Sequence, residues 1–570
     1  MIHNVTSAGR LMDILPLFHD DFRIQLLVTS TGSSVFQDGV GELFTDLGLP
    51  VLPWKQALST PVDLAISASF GGQLPLLEGK LSILSHGVGY TKKLAGSREP
   101  GAGSREPGAG SREPTFGLSA EWLLADGKPF VDGLVLSHPE QLERLRRACP
   151  EMVDASVLAG DPCFDRMLAA RRYRDRFRRA LGVRHGQRLV VLNSTWNPEG
   201  FFGNAVGDRD ILPSLLPRLT AELPADDYRL AAVLHPNIWY GHGPGQVRAW
   251  LDRAVRSGLT LIDPVHAWRQ AILAADVVLG DFGAVSYYAS ALDIPVLIAA
   301  SGEEKLDPEA PLASFVEKAP RLDPYGPLRA QVAGLVDSHE PRPGSAEFVT
   351  SAPGRSAALL RRHFYALLVL PEPAAPALLE PLPLPPYDPP LRTAPLHVRT
   401  RISGTDIVVE RSTGQPYGSY DADGDTHLAV HEDTRDPSAL ELADVITHRG
   451  PADDARLGGA AAWSAEVLRL HPHCSAAAYV SEPDACSVRC RGHGLFRLAA
   501  GPGADADPAA YASALYAWLA TGLRVPATGI TLRVHVAGSM NPVGVTPDDG
   551  RPYSAAADPR DSAGAGRPPQ

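Results

Sequence analysis

The middle of the chain alternates short apolar runs with helical segments, and this alternation constrains the fold more than any other feature. The runs occupy residues 188–193, 229–234, 259–262, 276–279 and 295–299. Continuous apolar runs of this length are typical of parallel strands that helices cover on both faces. We therefore predict an α/β fold with a parallel sheet in this region.

A looser alternation of the same kind precedes it. We predict strands at residues 24–29, 64–67 and 81–84, with helices at 11–18 and 40–47. The Arg-rich residues 166–181 are predicted to form one long helix. The sequence thus favours two successive Rossmann-type domains, each with its own sheet.

Changes in composition mark the domain boundaries. Residues 369–399 are rich in proline, which is typical of a stiff spacer, and residues 95–114 repeat an Ala-Gly-Ser-Arg-Glu-Pro-Gly unit that cannot bury apolar surface. The predicted parts are a Rossmann-like domain at 1–160 with a disordered loop at 95–114, a second Rossmann-like domain at 161–368, a linker at 369–399, a small α+β domain at 400–546 and a disordered tail at 547–570.

Charge and cysteine content narrow the class of protein. The formal net charge of −12 provides no positive field to hold a nucleic acid, so we expect no nucleic-acid partner. Five cysteines are sparse and odd in number, which argues against a disulfide framework and favours a reducing compartment. Because the sequence shows neither a signal peptide nor an apolar run as long as a membrane span, we predict a cytoplasmic protein.

The predicted strand at 276–279 leads into a turn of small residues and then into a helix. The turn and the start of the helix contain Gly280, Asp281, Gly283, Ala284, Val285 and Ser286. Backbone N–H groups and the positive end of the dipole at a helix start favour an anion, so we predict a phosphate or nucleotide site here. A βα turn that uses glycine only for tight packing would have the same pattern. Asp281 is predicted to cap the helix or to hold a histidine of the site.

Five motifs follow one another in the order known from one family. They are Ile83-Leu-Ser-His-Gly-Val-Gly-Tyr-Thr-Lys92, Gly160-Asp-Pro-Cys-Phe-Asp165, Asn193-Ser-Thr-Trp196, Leu234-His-Pro236 and the strand, turn and helix at 275–298. With these motifs the chain resembles the CDP-glycerol glycerophosphotransferase family, which includes teichoic-acid primases and polymerases. The resemblance implies a GT-B-like pair of Rossmann-type domains, the first facing the acceptor and the second binding the nucleotide diphosphate.

The resemblance also implies an activity and its partners. Glycerol phosphate would move from a CDP-activated donor to a cell-envelope polymer or a lipid-linked acceptor, with a possible peripheral contact at the inner face of the membrane. The basic residues along 166–179 could make that contact, although a solvated surface helix would have the same composition. GT-B enzymes use a helix end where other transferases use a metal ion, so we expect no metal and no cofactor.

Two histidines directly follow predicted strands. The resemblance implies that His86 is the general base for the acceptor hydroxyl and that His235 donates to a diphosphate oxygen of the leaving group. A histidine at a strand end is otherwise most often a hydrogen-bonded structural residue. The residues predicted to support the two histidines are Gly87, Lys92, Thr195 and Pro236.

Several positions depart from the family's pattern. Gly283 and Ala284 stand where the family has two serines, Tyr288 stands where it has an aspartate, and Cys163 stands where it has a basic residue. These departures leave the transferred group open. The alternatives are a nucleotide-sugar glycosyltransferase or epimerase of GT-B fold, and a non-catalytic relative that acts as a binding protein.

The C-terminal module contains residue types that can bind zinc, but without a strong zinc spacing. They are His471, Cys474, Cys486, Cys490 and His493. Cys486 and Cys490 are as easily explained as residues on the buried face of one strand.

Overall fold

The computed structural model describes residues 1–85, 87–93, 114–203, 211–300, 302–341, 346–414 and 424–548. The chain divides into two compact units, the first built mainly of Met1–Arg392 and the second mainly of the residues that follow. The repeat predicted at 95–114 and the tail predicted at 547–570 lie almost entirely outside the described residues.

The first unit contains two parallel sheets. Its strands are β1 Leu64–Ser67, β2 Lys80–Leu84, β3 Leu124–Ala125, β4 Lys128–Pro129, β5 Gly133–Leu136, β6 Ser156–Leu158, β7 Arg188–Ser194, β8 Tyr228–Leu234, β9 Thr260–Leu261, β10 Val277–Gly280 and β11 Val296–Ile298. One sheet has the order β1-β2-β5-β6 and the other has the order β11-β10-β7-β8-β9, and all strands within these two sheets pair in parallel. Strands β3 and β4 form a separate antiparallel pair. The predicted α/β class with parallel sheets is confirmed.

Helices connect these strands. They are α1 Val5–Ile14, α2 Val40–Leu47, α3 Trp54–Ala57, α4 Ala120–Leu123, α5 Pro139–Ala148, α6 Pro162–Ala170, α7 Arg174–Ala180, α8 Ile211–Glu222, α9 Pro236–His242, α10 Pro244–Arg256, α11 Trp268–Ala274, α12 Ala284–Ala291, α13 Pro311–Lys318, α14 Leu328–Asp337 and α15 Ser356–Leu367.

The second sheet is covered on both faces, which explains its continuous apolar strands. In β7, Leu189 and Val191 belong to one buried apolar cluster, while Val190 and Leu192 belong to another. Successive side chains of a strand point to opposite faces of the sheet. Because both faces of β7 are covered, the strand needs an apolar residue at every position. The first sheet follows the same rule, since Ile83 of β2 and its neighbour Leu84 also lie in different clusters.

The strand predicted at 24–29 is wrong. This segment makes only single-residue bridges, from Ser30 to Ile2 and from Val28 to Val51. The Ile2 N–H donates to the Thr29 carbonyl, but α1 begins at Val5, so the neighbouring extended segment is too short to continue a ladder.

The single helix predicted at 166–181 is also wrong. The helical segment starts earlier, at Pro162, because the Asp161 carboxylate accepts a hydrogen bond from the Phe164 N–H and caps α6. A 3₁₀ turn at Arg171–Tyr173 then separates α6 from α7.

The second unit is a closed barrel. Its strands are β12 Leu396–Ser403, β13 Asp406–Ser412, β14 Asp425–His431, β15 Val445–Arg449, β16 Ala476–Val480, β17 Ala485–Cys490, β18 Gly494–Ala500, β19 Ile530–Val536 and β20 Ser539–Pro547, and its helices are α16 Pro437–Glu441, α17 Gly459–Leu470 and α18 Pro508–Ala520. The barrel order is β12-β13-β19-β20-β18-β17-β16-β15-β14. Strand β12 begins within the segment predicted as a linker.

Helix α18 lies inside this barrel. It contacts strands around most of the barrel. The four successive residues Ala510, Tyr511, Ala512 and Ser513, which point to different sides of the helix, are all fully buried. A helix that is apolar all round must be covered on every side. Its alanines keep the helix narrow enough for a single layer of strands to surround it.

Candidate functional site

The order of strands in the second sheet defines a crevice. From β7 the chain proceeds outward through β8 and β9, and then returns to the other side of β7 to form β10 and β11. The loops after two neighbouring strands therefore run in opposite directions, and this opens a crevice at the carboxyl ends of those strands. Open α/β sheets bind ligands in such crevices. Here the loops after β7 and β10 flank that crevice.

Asp281 ties these two loops together. Its Oδ2 accepts hydrogen bonds from the Thr195 N–H (2.7 Å), the Thr195 hydroxyl (3.0 Å) and the Phe201 N–H (3.0 Å). Its Oδ1 accepts one from the Gly283 N–H (3.1 Å). Burial raises the pKa of the Asp281 carboxyl, while these donors and Lys92 oppose the shift. Asp281 thus braces the turn; it neither caps α12 nor bonds to a described histidine.

A cleft of about 690 Å³ opens above this turn. The predicted site residues that line it are Gly87, Lys92, Thr195, His235, Pro236, Gly283, Ala284 and Val285. Three further predicted residues, Gly280, Asp281 and Ser286, are buried beneath the lining, where the Ser286 hydroxyl accepts from Asn193 Nδ2 (3.2 Å). His86 lies outside the described residues, so its role stays a prediction.

His235 is held in one orientation at the end of β8. Its Nδ1 accepts a hydrogen bond from the Asn237 N–H (3.1 Å) at the start of α9. A neutral imidazole that accepts at Nδ1 carries its proton at Nε2. His235 lines the cleft, and this tautomer gives it a donor rather than an acceptor at the second ring nitrogen.

The charged side chains of the lining are all cations. Among the residues that the structure describes, the lining contains Arg10, Lys92, Lys93, Arg269 and Lys305 and no carboxylate. Only Lys92 of these was predicted from the sequence.

Lys92 lies beside the turn that forms the predicted anion site. Its Nζ lies 5.7 Å from the centroid of the Phe282 ring, on the turn between β10 and α12. Burial lowers the pKa of the Lys92 ammonium, and the Asp281 and Glu199 carboxylates oppose that shift. An anion bound beside it would favour the charged form further.

At Cys163, where the resembled family has a basic residue, the Arg269 guanidinium of helix α11 lies alongside the thiol. Arg269 Nε donates to Cys163 Sγ (3.1 Å), and its Nη2 donates to Asp13 (2.8 Å). Burial raises the pKa of the Cys163 thiol, so it remains neutral beside the guanidinium. Arg269 therefore places a guanidinium beside Cys163, where its charge is balanced by the buried ion pair with Asp13.

The described residues contain no cluster of three or more histidine, cysteine, aspartate or glutamate side chains arranged to hold a metal ion. In the second unit, Cys486 and Cys490 lie on β17 and are buried. The Cys486 thiol donates to the Pro508 carbonyl (3.3 Å) at the start of α18.

Several arginines of the basic segment at 166–179 make ion pairs. Arg174 and Arg178 both bind Asp276, and Arg166 binds Asp13. Within the described part of the chain, no helix has the length and apolar character that crossing a membrane requires.

No protein-family model and no curated protein matches the sequence. Solved structures do match. The wall teichoic acid polymerase TagF is 15% identical over 64% of this chain and 92% of its own, with a TM-score of 0.36. HepE of Anabaena, in complex with UDP-glucose, is 12% identical over 65% of this chain and 97% of its own, with a TM-score of 0.33. Identities and scores this low do not assign a function.

Proposed function

We propose that the first unit is a transferase that binds a CDP-activated donor in the cleft and moves glycerol phosphate, or a similar polyol phosphate, to a cell-envelope polymer or lipid-linked acceptor. The charge of the cleft carries this proposal. In a chain of net charge −12, the described lining holds five cations and no carboxylate. Arg10, Arg269 and Lys305 pair with the carboxylates of Asp161, Asp13 and Glu199, so the positive field at the turn comes mainly from Lys92 and the start of α12. A cleft lined by one sign of charge concentrates ligands of the opposite sign, and a nucleoside diphosphate is such a ligand.

The diphosphate would bind where backbone and side-chain donors converge. Ala284 and Val285 begin α12 and line the cleft, and the first N–H groups of a helix have no partner within it. Lys92 approaches the same turn through Phe282. Helix start and ammonium together supply the positive field that the donor requires.

The proposed reaction is a displacement at phosphorus. An acceptor hydroxyl oxygen bonds to the phosphorus that carries glycerol, the bond from that phosphorus to the bridging oxygen breaks, and CMP leaves with the bonding electrons. We assign the hydroxyl proton to His86 on the sequence motif alone. We assign stabilisation of the departing phosphate to the Nε2–H of His235, in accord with its hydrogen bond at Nδ1.

A binding screen tests the proposal. The full chain would be titrated calorimetrically, without added metal, with CDP, UDP, ADP, GDP, CDP-glycerol and common nucleotide sugars. We expect a preference for the cytidine diphosphates, followed by CMP release from CDP-glycerol when an acceptor is supplied. A preference for uridine diphosphates would indicate the nucleotide-sugar transferase or epimerase instead. CDP binding without CMP release from any acceptor would indicate a non-catalytic binding protein.

A further inference from the structure

Three arginines of the first unit gather at the amino-terminal end of the second sheet. Arg229 is the second residue of β8, Arg184 lies in the segment between α7 and β7, and Arg392 lies in the Pro-rich segment. The cleft residue His235 follows the opposite end of β8, about 20 Å away at 3.3 Å per strand residue. The arginine cluster is therefore separate from the cleft.

Arg229 is a buried cation whose donors are not satisfied. Its side chain belongs to a residue that is only 9% exposed. Its Nε and Nη2 are buried and have no hydrogen-bond acceptor among the described residues. Burial, together with the guanidiniums of Arg392 and Arg184, lowers the pKa of Arg229 to about 10, while Tyr387 opposes the shift. A buried charge of this kind is costly unless an opposite charge pairs with it.

The other two arginines are placed to share a ligand with Arg229. Arg184 Nη1 is also buried, and nothing in the described part of the chain accepts a hydrogen bond from it. Arg392 is oriented by backbone, because its Nε donates to the Ser257 carbonyl (3.1 Å) and its Nη2 to the Ala225 carbonyl (3.4 Å). These carbonyls fix the guanidinium without neutralising its charge.

Two glycines leave the space that the guanidiniums occupy. A Cβ at Gly182 would lie 3.3 Å from Arg229 Nη2, and a Cβ at Gly258 would lie 2.7 Å from Arg392 Nη2. Both glycines have positive φ, at 71° and 105°, a conformation that other residues rarely adopt. The backbone thus admits two guanidiniums that a side chain at either glycine would displace.

We propose that Arg184, Arg229 and Arg392 bind a small tetrahedral oxyanion of the phosphate class at this second site. Guanidinium forks match phosphate oxygens, and a tetrahedral anion offers acceptors in more directions than a planar carboxylate does. Because Arg229 is nearly buried, the site suits a single small anion and not the surface of a membrane. A bound anion would join the segment before β7, strand β8 and the Pro-rich segment. The proposal goes beyond the proposed function and does not depend on it.

Calorimetric titration at constant ionic strength tests the second site, with inorganic phosphate and glycerol 3-phosphate as probes. The full chain would carry K92M/K305M, so that the cleft does not compete for the anion. We expect phosphate to bind this chain, and to bind about tenfold or more weakly when Arg229→Met or Arg184→Met is added. Arg524→Met, at an exposed arginine of the second unit, should leave the affinity unchanged.

Thermal unfolding of the same proteins separates ligand binding from a purely structural role. Phosphate should raise the melting temperature of the K92M/K305M chain, because it binds the folded state alone, and the rise should disappear with Arg229→Met. Without phosphate, Arg229→Met should be at least as stable as its parent, because it removes an uncompensated buried charge. A lower melting temperature of Arg229→Met without phosphate, combined with equal phosphate affinity, would show that Arg229 is structural and would overturn the proposal.

The two probes identify the source of the anion. Tighter binding of inorganic phosphate supports a site for the ion itself, and tighter binding of glycerol 3-phosphate supports a site for a phosphate ester. Binding of neither probe to the K92M/K305M chain would overturn the proposal. CDP affinity should be the same in wild type and Arg229→Met, and a tenfold loss in the variant would contradict a separate site. Absence of CDP binding to wild type contradicts the proposed function alone.

Discussion

The Tyr288 hydroxyl donates a 2.6 Å hydrogen bond to Asp161 Oδ2, which joins helix α12 to the cap of helix α6. Arg10 completes the group, because its Nη2 donates to the Tyr288 oxygen (2.9 Å) and to the Gly87 carbonyl (3.0 Å). All three side chains are almost fully buried. Tyr288 stands where the resembled family has an aspartate. Through Arg10 it links helix α12 to the backbone of Gly87, which lines the cleft.

Removing single members of this group should have graded effects on stability. Tyr288→Phe deletes one hydroxyl and leaves the ion pair, so we expect the free energy of unfolding to fall by about 1 kcal/mol. Arg10→Met leaves the Asp161 carboxylate buried without its partner, and a loss of about 3–5 kcal/mol is expected. Urea unfolding measures both. Arg146→Met, which breaks the exposed pair with Glu143, is the control and should change stability little.

Gly283 should not tolerate a side chain. A Cβ at this position would lie 2.5 Å from Thr195 Cγ2 and 3.0 Å from Asp281 Oδ1. Because these groups brace the turn, Gly283→Ala should displace it, destabilise the chain by about 1–3 kcal/mol and weaken CDP binding. Gly334→Ala in α14 meets nothing within 4 Å and should stabilise the helix by about 0.5–1 kcal/mol. Equal CDP affinity in both variants would refute the role of the turn.

The barrel should lose stability in mild acid. Burial lowers the pKa of His427 to about 4, whereas an unfolded histidine titrates near ~6.5. Between these values the unfolded chain binds more protons, so the free energy of unfolding decreases as the pH falls through this range, by about 3 kcal/mol for this group. His427→Leu should flatten the dependence.

The measurement for this prediction is urea unfolding at pH 7.0 and 4.5, with pulsed hydrogen exchange on peptides of β14. Burial also lowers the pKa of His431 to about 4. The His427→Leu variant should therefore still lose some stability as the pH falls, because His431 remains. The exposed His473→Leu variant should behave as wild type. An unchanged slope in His427→Leu would contradict the assignment.

His86→Ala should abolish CMP release from CDP-glycerol while leaving CDP affinity within about twofold of wild type, because a general base acts on the acceptor and not on the nucleotide. Stopped-time assays of CMP and calorimetry of CDP separate the two effects. His19→Ala, at an exposed position, is the matched control. Full turnover in His86→Ala would remove this residue from the mechanism.

Much of the secondary structure was predictable because its signals are local. Helix α2 and strand β1 agree residue for residue with the predictions, and the β17 cysteines are buried as expected. Closure of the barrel was not predictable in this way. It depends on pairs such as Ile407 with Val534, which are far apart in the chain and carry no mutual signal in one sequence.

In the candidate site, too, residues in local motifs were predictable, whereas residues brought in by tertiary packing were not. Motifs at strand ends identified residues that the structure brings to the cleft, among them Thr195 and His235. Arg10 and Arg269 lie on helices whose sequences contain no motif, and they reach the cleft only through tertiary packing. His3 likewise hydrogen-bonds to two residues that are distant in the chain, Ser33 in a loop and Ser67 at the end of β1. No periodicity or spacing could have identified these residues.

The most direct test of the central claim is calorimetric titration of CDP into wild type, a K92M/K305M double variant and the control Lys318→Met, whose lysine is exposed outside the cleft. If the cationic cleft binds the donor diphosphate, wild-type affinity should fall with added salt, and the double variant should bind CDP about tenfold or more weakly with unchanged stability. The control should match wild type. Equal CDP affinity in all three proteins, or no CDP binding by wild type, would contradict the account.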